Sequence, residues 1–396
     1  MRIAHVANTD YFCAFLLRGQ LRALQRAGHD VSLVCGDGPL LDGLRAEGFP
    51  VRVVANSRRI EPLADLRTLS SYVALFRREH FDVVHTHNPK VNGLAALAAR
   101  IARVPRVVST LHGLYSHEGQ GPLARRTWRM LERASARLAD LVLCQSAEDV
   151  RTARWSRIVP DGRLRCLGNG VDLERFSPSR IGPEDRAALR RRLGVGPGER
   201  VIGFVGRLVR EKGIPELLAA TAGRRGWRVW LVGPDECGVK RDALEPRVLD
   251  ASSHVRCLGL QGDLPPLYAA MDVVALPSHR EGLPRSLLEA SAMARPIVAT
   301  RVRGCREAIA PGRTGLLVPP AAPRALREAL EALLQDPARS RCFGVAARFR
   351  ARALFDERAV FERIGLAYRE LALPATASAV TRLHGRASGA GSPSDL

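Results

Sequence analysis

The 396-residue chain is short of most features that would mark a membrane-embedded, disulfide-built or nucleic-acid-stacking protein. No apolar run approaches the ~20 residues needed to cross a bilayer. No C-x-x-C occurs: Cys13, Cys35, Cys144, Cys166, Cys237, Cys257, Cys305 and Cys342 are scattered, several in apolar strand-like runs. That scatter predicts reduced thiols rather than a disulfide frame or a zinc site. The opening Arg2-Ile3-Ala4-His5-Val6-Ala7 reads as a short strand with no long apolar stretch behind it. A secretory leader is therefore not expected, and a cytoplasmic location is. Aromatic residues make up only 5% and form no stacking motif, which argues against a nucleic-acid binder. Lysine is scarce as well: Lys90, Lys212 and Lys240 are the only three among 61 Lys and Arg.

What is present is a globular chain, 46% hydrophobic and 26% charged, long enough for two domains. The net charge of +21 draws phosphates of any kind, whether nucleotide, nucleic acid or anionic lipid, without choosing among them. The excess of Arg over Lys, with many Ala, looks like codon composition as much as function. Short apolar runs at 3–7, 31–35, 51–54, 83–86, 106–110, 141–144 and 164–167 alternate with helix-period segments such as Leu16, Leu17, Leu21 and Leu24. That rhythm predicts a parallel sheet covered on both faces. It breaks at Ser177-Pro178-Ser179 and Gly194-Val195-Gly196-Pro197-Gly198, which flank a short charged helix and read as a linker. It restarts with runs at 201–206, 228–232, 255–258, 273–276, 297–300 and 315–318, then turns helical from 321 to 373.

The expected fold is α/β, with two Rossmann-like doubly wound domains facing across a cleft. The expected boundaries are a first domain at 1–178, a linker at 179–199 and a second domain at 200–355. A C-terminal helix at 356–373 returns to the first domain, and 374–396 form a disordered tail. Ligands of such sheets gather at the carboxyl ends of the strands, here in the groove between domains.

Two segments carry chemistry. In Leu276-Pro277-Ser278-His279-Arg280-Glu281-Gly282-Leu283-Pro284-Arg285-Ser286-Leu287-Leu288-Glu289, a buried strand runs through a polar turn into a helix. Pro284 suits the first helical turn, and amides at that helix start form an anion site. Glu281 outside the helix and Glu289 inside it can bracket a ligand rich in hydroxyls. The bland alternative makes Glu281 a solvated loop residue and Glu289 a helix-surface residue. In Val201-Ile202-Gly203-Phe204-Val205-Gly206-Arg207-Leu208-Val209-Arg210-Glu211-Lys212-Gly213, the cations Arg207 and Lys212 follow a strand end and suit a diphosphate leaving group. The bland alternative is two ordinary surface cations. A scarce lysine at the equivalent strand end to the paired glutamates weighs against it.

Together these motifs resemble the retaining GT-B glycosyltransferases of family 4. The matching pieces are Gly206-Arg207-Leu208 with Glu211-Lys212-Gly213, Glu281 with Glu289-Ala290, Asn169-Gly170-Val171-Asp172, and Thr314-Gly315-Leu316-Leu317-Val318. Asp82-Val83-Val84-His85-Thr86-His87 and Thr110-Leu111-His112-Gly113 fit in the first half. Gly304-Cys305-Arg306-Glu307 looks most like the polysaccharide and lipid-linked glycan branch.

The resemblance implies that Arg207 and Lys212 grip a nucleotide diphosphate sugar, commonly UDP-linked. Glu289 would bind the ribose and Glu281 would lie by the sugar, with Gly282, Leu283, Pro284 and Arg285 near its hydroxyls or phosphate. His112 would reach the sugar across the cleft. His85 and His87 are expected as packing or acceptor-side groups, and Asn169 to Asp172 as a shaper of the interdomain turn. The implied reaction is retaining transfer to a glycan, lipid-linked or small-molecule hydroxyl by a front-face route. Neither metal nor cofactor is expected, since no Asp-x-Asp occurs. The chain departs from the family in Asn8-Thr9-Asp10-Tyr11-Phe12, which lacks the usual glycines, and in Arg303-Gly304-Cys305, where Gly-Gly is usual.

A dinucleotide oxidoreductase would need a G-x-G-x-x-G after a first strand, and none is there. A sugar-nucleotide epimerase of the same fold stays open. A separate expectation concerns Leu123 to Leu138, where Arg125, Arg126, Arg129, Arg133 and Arg137 combine with Trp128, Met130 and Leu131. Such a helix either lies peripherally on an anionic inner leaflet or packs conventionally on the sheet.

Overall fold

The computed structural model describes residues 1–57, 61–117, 119–160, 162–237, 242–245 and 253–372. Lys240 and the expected tail at 374–396 lie outside the described residues. The first sheet is built from β1 (Arg2–Val6), β2 (Asp30–Cys35), β3 (Val51–Val53), β4 (Val83–His87), β5 (Arg106–Leu111), β6 (Leu141–Cys144) and β7 (Leu164–Cys166). Its order is β3-β2-β1-β4-β5-β6-β7, all parallel. The second holds β8 (Arg200–Val205), β9 (Trp227–Val232), β10 (Val255–Gly259), β11 (Val273–Leu276), β12 (Ile297–Thr300) and β13 (Gly315–Val318). Its order is β10-β9-β8-β11-β12-β13, also parallel. Each apolar run in the sequence becomes a strand, as expected where most strands of a parallel sheet are covered on both faces.

Strand order reverses between β1 and β4 in one sheet and between β8 and β11 in the other, which opens a crevice at the strand ends of each. The second sheet and its helices form one core containing Phe204, Trp230, Tyr268 and Leu288. The segment read as a linker includes the helix Pro183–Arg192, which is docked on the second domain. There Arg190 reaches Asp272 at 2.9 Å, and Leu189 and Leu193 pack against that core.

The chain crosses between domains twice, side by side. Val171 pairs with Asp356, and its amide donates to Phe355 O at 2.9 Å. Gly170 has no room for a side chain, since a Cβ there would sit 2.4 Å from Glu357 Cα. The final helix, Glu357–Ala372, buries Val360, Ile364, Ala367 and Tyr368 in a first-domain core with Ile3, Leu21 and Leu33. None of the eight cysteines is in a disulfide.

Candidate active site

The second-domain wall is two interlocked turns at the β8 and β11 ends. Gly213 has φ 71°, and a Cβ there would lie 2.0 Å from Pro277 O, so the close approach requires glycine. The His279 amide donates to Glu211 O at 2.9 Å across the same join. Lys212 Nζ lies 2.6 Å from Glu281 Oε1, which also accepts from Ser278 Oγ at 2.7 Å. The lysine and glutamate singled out in separate segments are therefore partners. Glu211 binds Arg280 Nε at 2.7 Å, with Arg207 Nη2 3.8 Å away. Burial pushes the Glu211 carboxyl up, but Arg280, Lys212 and Arg207 outweigh it and hold the group at about 2. The Arg280 guanidinium stands 4.1 Å from the centre of the Tyr115 ring, a cation–π contact across the cleft.

Glu289 is not on the helix surface: it is 7% exposed. Arg285 Nε lies 3.3 Å from one of its oxygens, and Tyr268 OH donates to the other at 2.9 Å. Burial raises its carboxyl above the usual range, with Arg285 and Tyr268 pulling it back. Arg285 also reaches Glu357 at 3.3 Å, tying this wall to the start of the final helix. Pro284 is the N-cap of the helix Arg285–Ala292, one position outside the first turn where the sequence put it. Its ψ of 116° is extended, and its carbonyl accepts from the Leu287 amide. Leu283 is buried, and its carbonyl accepts from Asn169 Nδ2 at 2.8 Å. Asn169 thus joins the domains.

The opposite wall rises from β5. His112 and Gly113 follow the strand, and Gly113 meets Gly282 so closely that a Cβ on Gly113 (φ 114°) would lie 2.8 Å from Gly282 Cα. Behind His112 stand His87, His5 and His85, each 1% exposed or less and inside β4 and β1. His87 Nδ1 is 3.1 Å from His112 Nε2, and His87 Nε2 is 3.0 Å from His5 Nδ1. Burial lowers His5 to about 3 and His112 to about 4, the latter opposed by the Gln145 side chain, and drives His85 and His87 well below the usual value. Where the family carries glycines, Phe12 packs its ring at 90° to His112, centroids 4.9 Å apart. Among the described residues, His5, His85 and His87 form the one group whose ligand atoms lie close enough together for a metal, within 4.8 Å. Every ring nitrogen of the three already faces a hydrogen-bond partner, so none is left to hold an ion.

A third element, Arg303 to Glu307, clamps the lobes. Gly304 (φ 72°) lies against Gly282 O, with 1.4 Å left for a Cβ. Arg303, standing where a glycine is usual, reaches across to Asp149 at 3.0 Å and Ser116 O at 2.6 Å, with both charged partners buried. Burial lifts Asp149 to about 6 against the pull of Arg303. Glu307 accepts from Ser146 Oγ at 2.8 Å and from the Ala147 and Glu148 amides, capping the helix Ala147–Trp155 from the other domain. Tyr268, Ser278, Arg303, Glu307 and Tyr368 carried no spacing signal of their own. With the lobes so closed, the cavity shared by His112, Gln145, Asn169, Arg285 and Glu357 is only about 30 Å³. A larger one of about 440 Å³, bordered by Arg200, Trp227 and Glu331, lies at the opposite end of the second sheet, by the strand starts.

Known proteins match this arrangement in both halves. Residues 16–175 match the family described as Glycosyltransferase Family 4, and 199–336 match Glycosyl transferases group 1. The Escherichia coli UDP-Gal:alpha-D-GlcNAc-diphosphoundecaprenol alpha-1,3-galactosyltransferase is 29% identical over 286 residues, 69% of this chain and 72% of its own. The GDP-mannose-dependent alpha-mannosyltransferase of Mycolicibacterium smegmatis is 31% identical over 307 residues, 74% of this chain and 77% of its own. The crystal structure of Anabaena Alr3699/HepE in complex with UDP-glucose has the same fold (TM-score 0.78, 23% identity), covering 93% of this chain and 99% of that one. With its two doubly wound lobes and its paired basic and acidic strand ends, the chain belongs to the group 1 glycosyl transferases of family 4 and is a glycosyltransferase of the GT-B fold.

Proposed function

We propose that the protein transfers a sugar from a nucleotide diphosphate sugar to an acceptor hydroxyl, with retention at the anomeric carbon. The observation that carries this reading is the placement of Arg207, Lys212, Glu281 and Glu289 at the adjacent β8 and β11 ends, opposite His112. Arg207 and Lys212 neutralise the departing diphosphate, helped by the helix start at Arg285. Glu289, held by Tyr268 and Arg285, accepts from the ribose hydroxyls. Glu281, the amides of Gly282, Leu283 and Arg285, and His112 surround the sugar. No base is required, because the leaving phosphate takes the acceptor proton on the same face. The absence of Asp-x-Asp supports a reaction in which protein cations do the work of a metal.

Donor entry needs two changes. Lys212 must turn from Glu281 to the phosphate, and the lobes must part at Gly113 and Gly282, since about 30 Å³ holds a single water. UDP is the first donor base to test, as the E. coli relative and the Anabaena structure are UDP-named, with GDP second after the Mycolicibacterium relative. Acceptors on lipid-linked or polysaccharide chains fit the E. coli relative's name. A surface for such an acceptor is at hand: on the helix Pro122–Arg137, Leu123, Met130 and Leu131 are 79%, 62% and 48% exposed beside Arg126 and Arg137. That face suits an anionic bilayer surface. No described helix is long and apolar enough to cross a membrane.

The test is a panel of UDP-, GDP- and ADP-sugars scored for nucleotide diphosphate release and thermal stabilisation. Release with one donor class in the presence of acceptor is expected, and neither release nor stabilisation with any donor would reject the reading. Conversion of the donor to an epimer without acceptor would favour the epimerase.

A further inference from the structure

We propose that Tyr368 is a positioning residue for His112, acting through a continuous hydrogen-bonded chain of buried histidines that all share one tautomer. The parallel pairing of β1 and β4 sets His5 directly beside His85, and the two-residue period of β4 brings His87 to the same face. The final helix then delivers Tyr368 beneath them. The links run from His112 Nε2 to His87 Nδ1 (3.1 Å) and from His87 Nε2 to His5 Nδ1 (3.0 Å). They continue from His5 Nε2 to Tyr368 OH (3.3 Å), from Tyr368 OH to His85 Nδ1 (2.6 Å), and from His85 Nε2 to Thr110 Oγ1 (2.7 Å).

Proton counting makes this chain all-or-none. A neutral imidazole has one N–H and one bare nitrogen, and a phenol has one proton to give. Start with Thr110 donating to His85 Nε2. Then His85 Nδ1–H donates to Tyr368, Tyr368 to His5 Nε2, His5 Nδ1–H to His87, and His87 Nδ1–H to His112. All four rings are then Nδ1–H. Reverse the direction and all four are Nε2–H. Any mixture either puts two protons or two lone pairs face to face in a buried link, or makes Tyr368 accept from both His5 and His85 and leaves its own proton without an acceptor in the chain, and each such fault is costly. Burial keeps the rings neutral at pH 7, as the count requires, with His5 at about 3 and His112 at about 4. Metal binding by the same cluster is the competing use. The hydrogen bonds already made by each ring nitrogen of His5, His85 and His87 speak against it. Through Tyr368 the tautomer of His112 is tied to that of His85, so that His112 Nδ1 carries a proton when Thr110 donates to His85 and a lone pair when Thr110 accepts. The catalytic consequence rests on the reading of His112 as a sugar-facing group, whereas the shared tautomer does not.

The experiment is a long-range ¹⁵N–¹H spectrum of the full chain labelled at histidine, assigned with single His→Asn variants, alongside metal analysis. Expected are four buried rings in one common tautomer. In Tyr368→Phe, His112 should populate both tautomers, and kcat should fall by about fivefold with little change in donor KM. Rings of mixed tautomer in the wild-type protein would overturn the proposal, even if Tyr368→Phe does not fold. An unchanged His112 in a folded Tyr368→Phe protein, or a stoichiometric metal in the purified protein, would overturn it too. Because the spectrum needs no turnover, a failure of the donor reading would leave this result standing.

Discussion

At the β1/β4 reversal of the first domain, the groups behind the cleft are four neutral histidines bonded to one another and to Tyr368. At the matching β8/β11 reversal of the second, they are ionic pairs, Lys212 with Glu281, Arg280 with Glu211 and Arg285 with Glu289. The same sheet topology thus supports opposite electrostatics, and the surroundings decide which. Rings enclosed by strands on every side cannot hold charge, so they satisfy one another by hydrogen bonding. Groups on turns at a helix start can stay charged because each has a counter-charge, and a bound diphosphate can take over the cations. Charge stands on the wall proposed to take the phosphates, and neutral donors and acceptors stand on the wall proposed to face the sugar.

Acid should separate the two walls most strongly. Below 6.5 the unfolded histidines bind protons that the folded rings refuse, so the first domain loses stability as pH falls from about 6.5 toward 4. The slope is about 1.4 kcal/mol per pH unit for each ring. Asp149, raised to about 6, opposes one ring's worth over part of that range, because its protonated form is favoured in the folded protein. Glu211 behaves differently. Its folded value of about 2 lies under the ordinary 4.5, so its contribution is whole above 4.5 and fades only as pH falls toward 2. Hydrogen exchange across a pH series should therefore show first-domain strands opening at milder acid than β8 and β11. Simultaneous opening would erase the contrast.

Removing the buried link between the walls comes next. Arg303→Ala strands Asp149 without its partner and should cost about 3–5 kcal/mol in denaturant unfolding. A loss under 1 kcal/mol would show that Glu307 and its bonds to Ser146, Ala147 and Glu148 hold the lobes without it. On the charged wall, Lys212→Ala should lower kcat by about 10²–10³ while the protein still melts as one folded species. Smaller still, Glu289→Ala should weaken nucleotide binding by about 10–100-fold in calorimetry, the worth of one or two hydrogen bonds to a charged group. If both variants fail through unfolding alone, the ionic wall is structural.

The strand framework was legible in the sequence because thirteen apolar runs, each bounded by turn residues, can only be strands of covered parallel sheets. Arg207, Lys212, Glu281 and Glu289 were legible too, since each sits at a fixed offset from a strand end. Their pairings were not: the Lys212 contact with Glu281 joins residues 69 positions apart, and no spacing announces it. Tyr368 was still further from view, 283 residues beyond His85 and inside a helix whose apolar stripe reads as ordinary packing. The Arg303 contact with Asp149 was hidden because a lone arginine among 61 Lys and Arg carries no signal until the lobes are docked.

In the proposed reaction the second lobe holds the donor by its phosphates while its carboxylates read the hydroxyls. A crystal structure with bound nucleotide diphosphate tests it most directly. The diphosphate is expected within hydrogen-bond reach of Arg207 and Lys212, the ribose on Glu289, and Lys212 released from Glu281. A nucleotide bound elsewhere, for instance in the 440 Å³ cavity beside Trp227, or a Lys212 still locked to Glu281 in the complex, would contradict it.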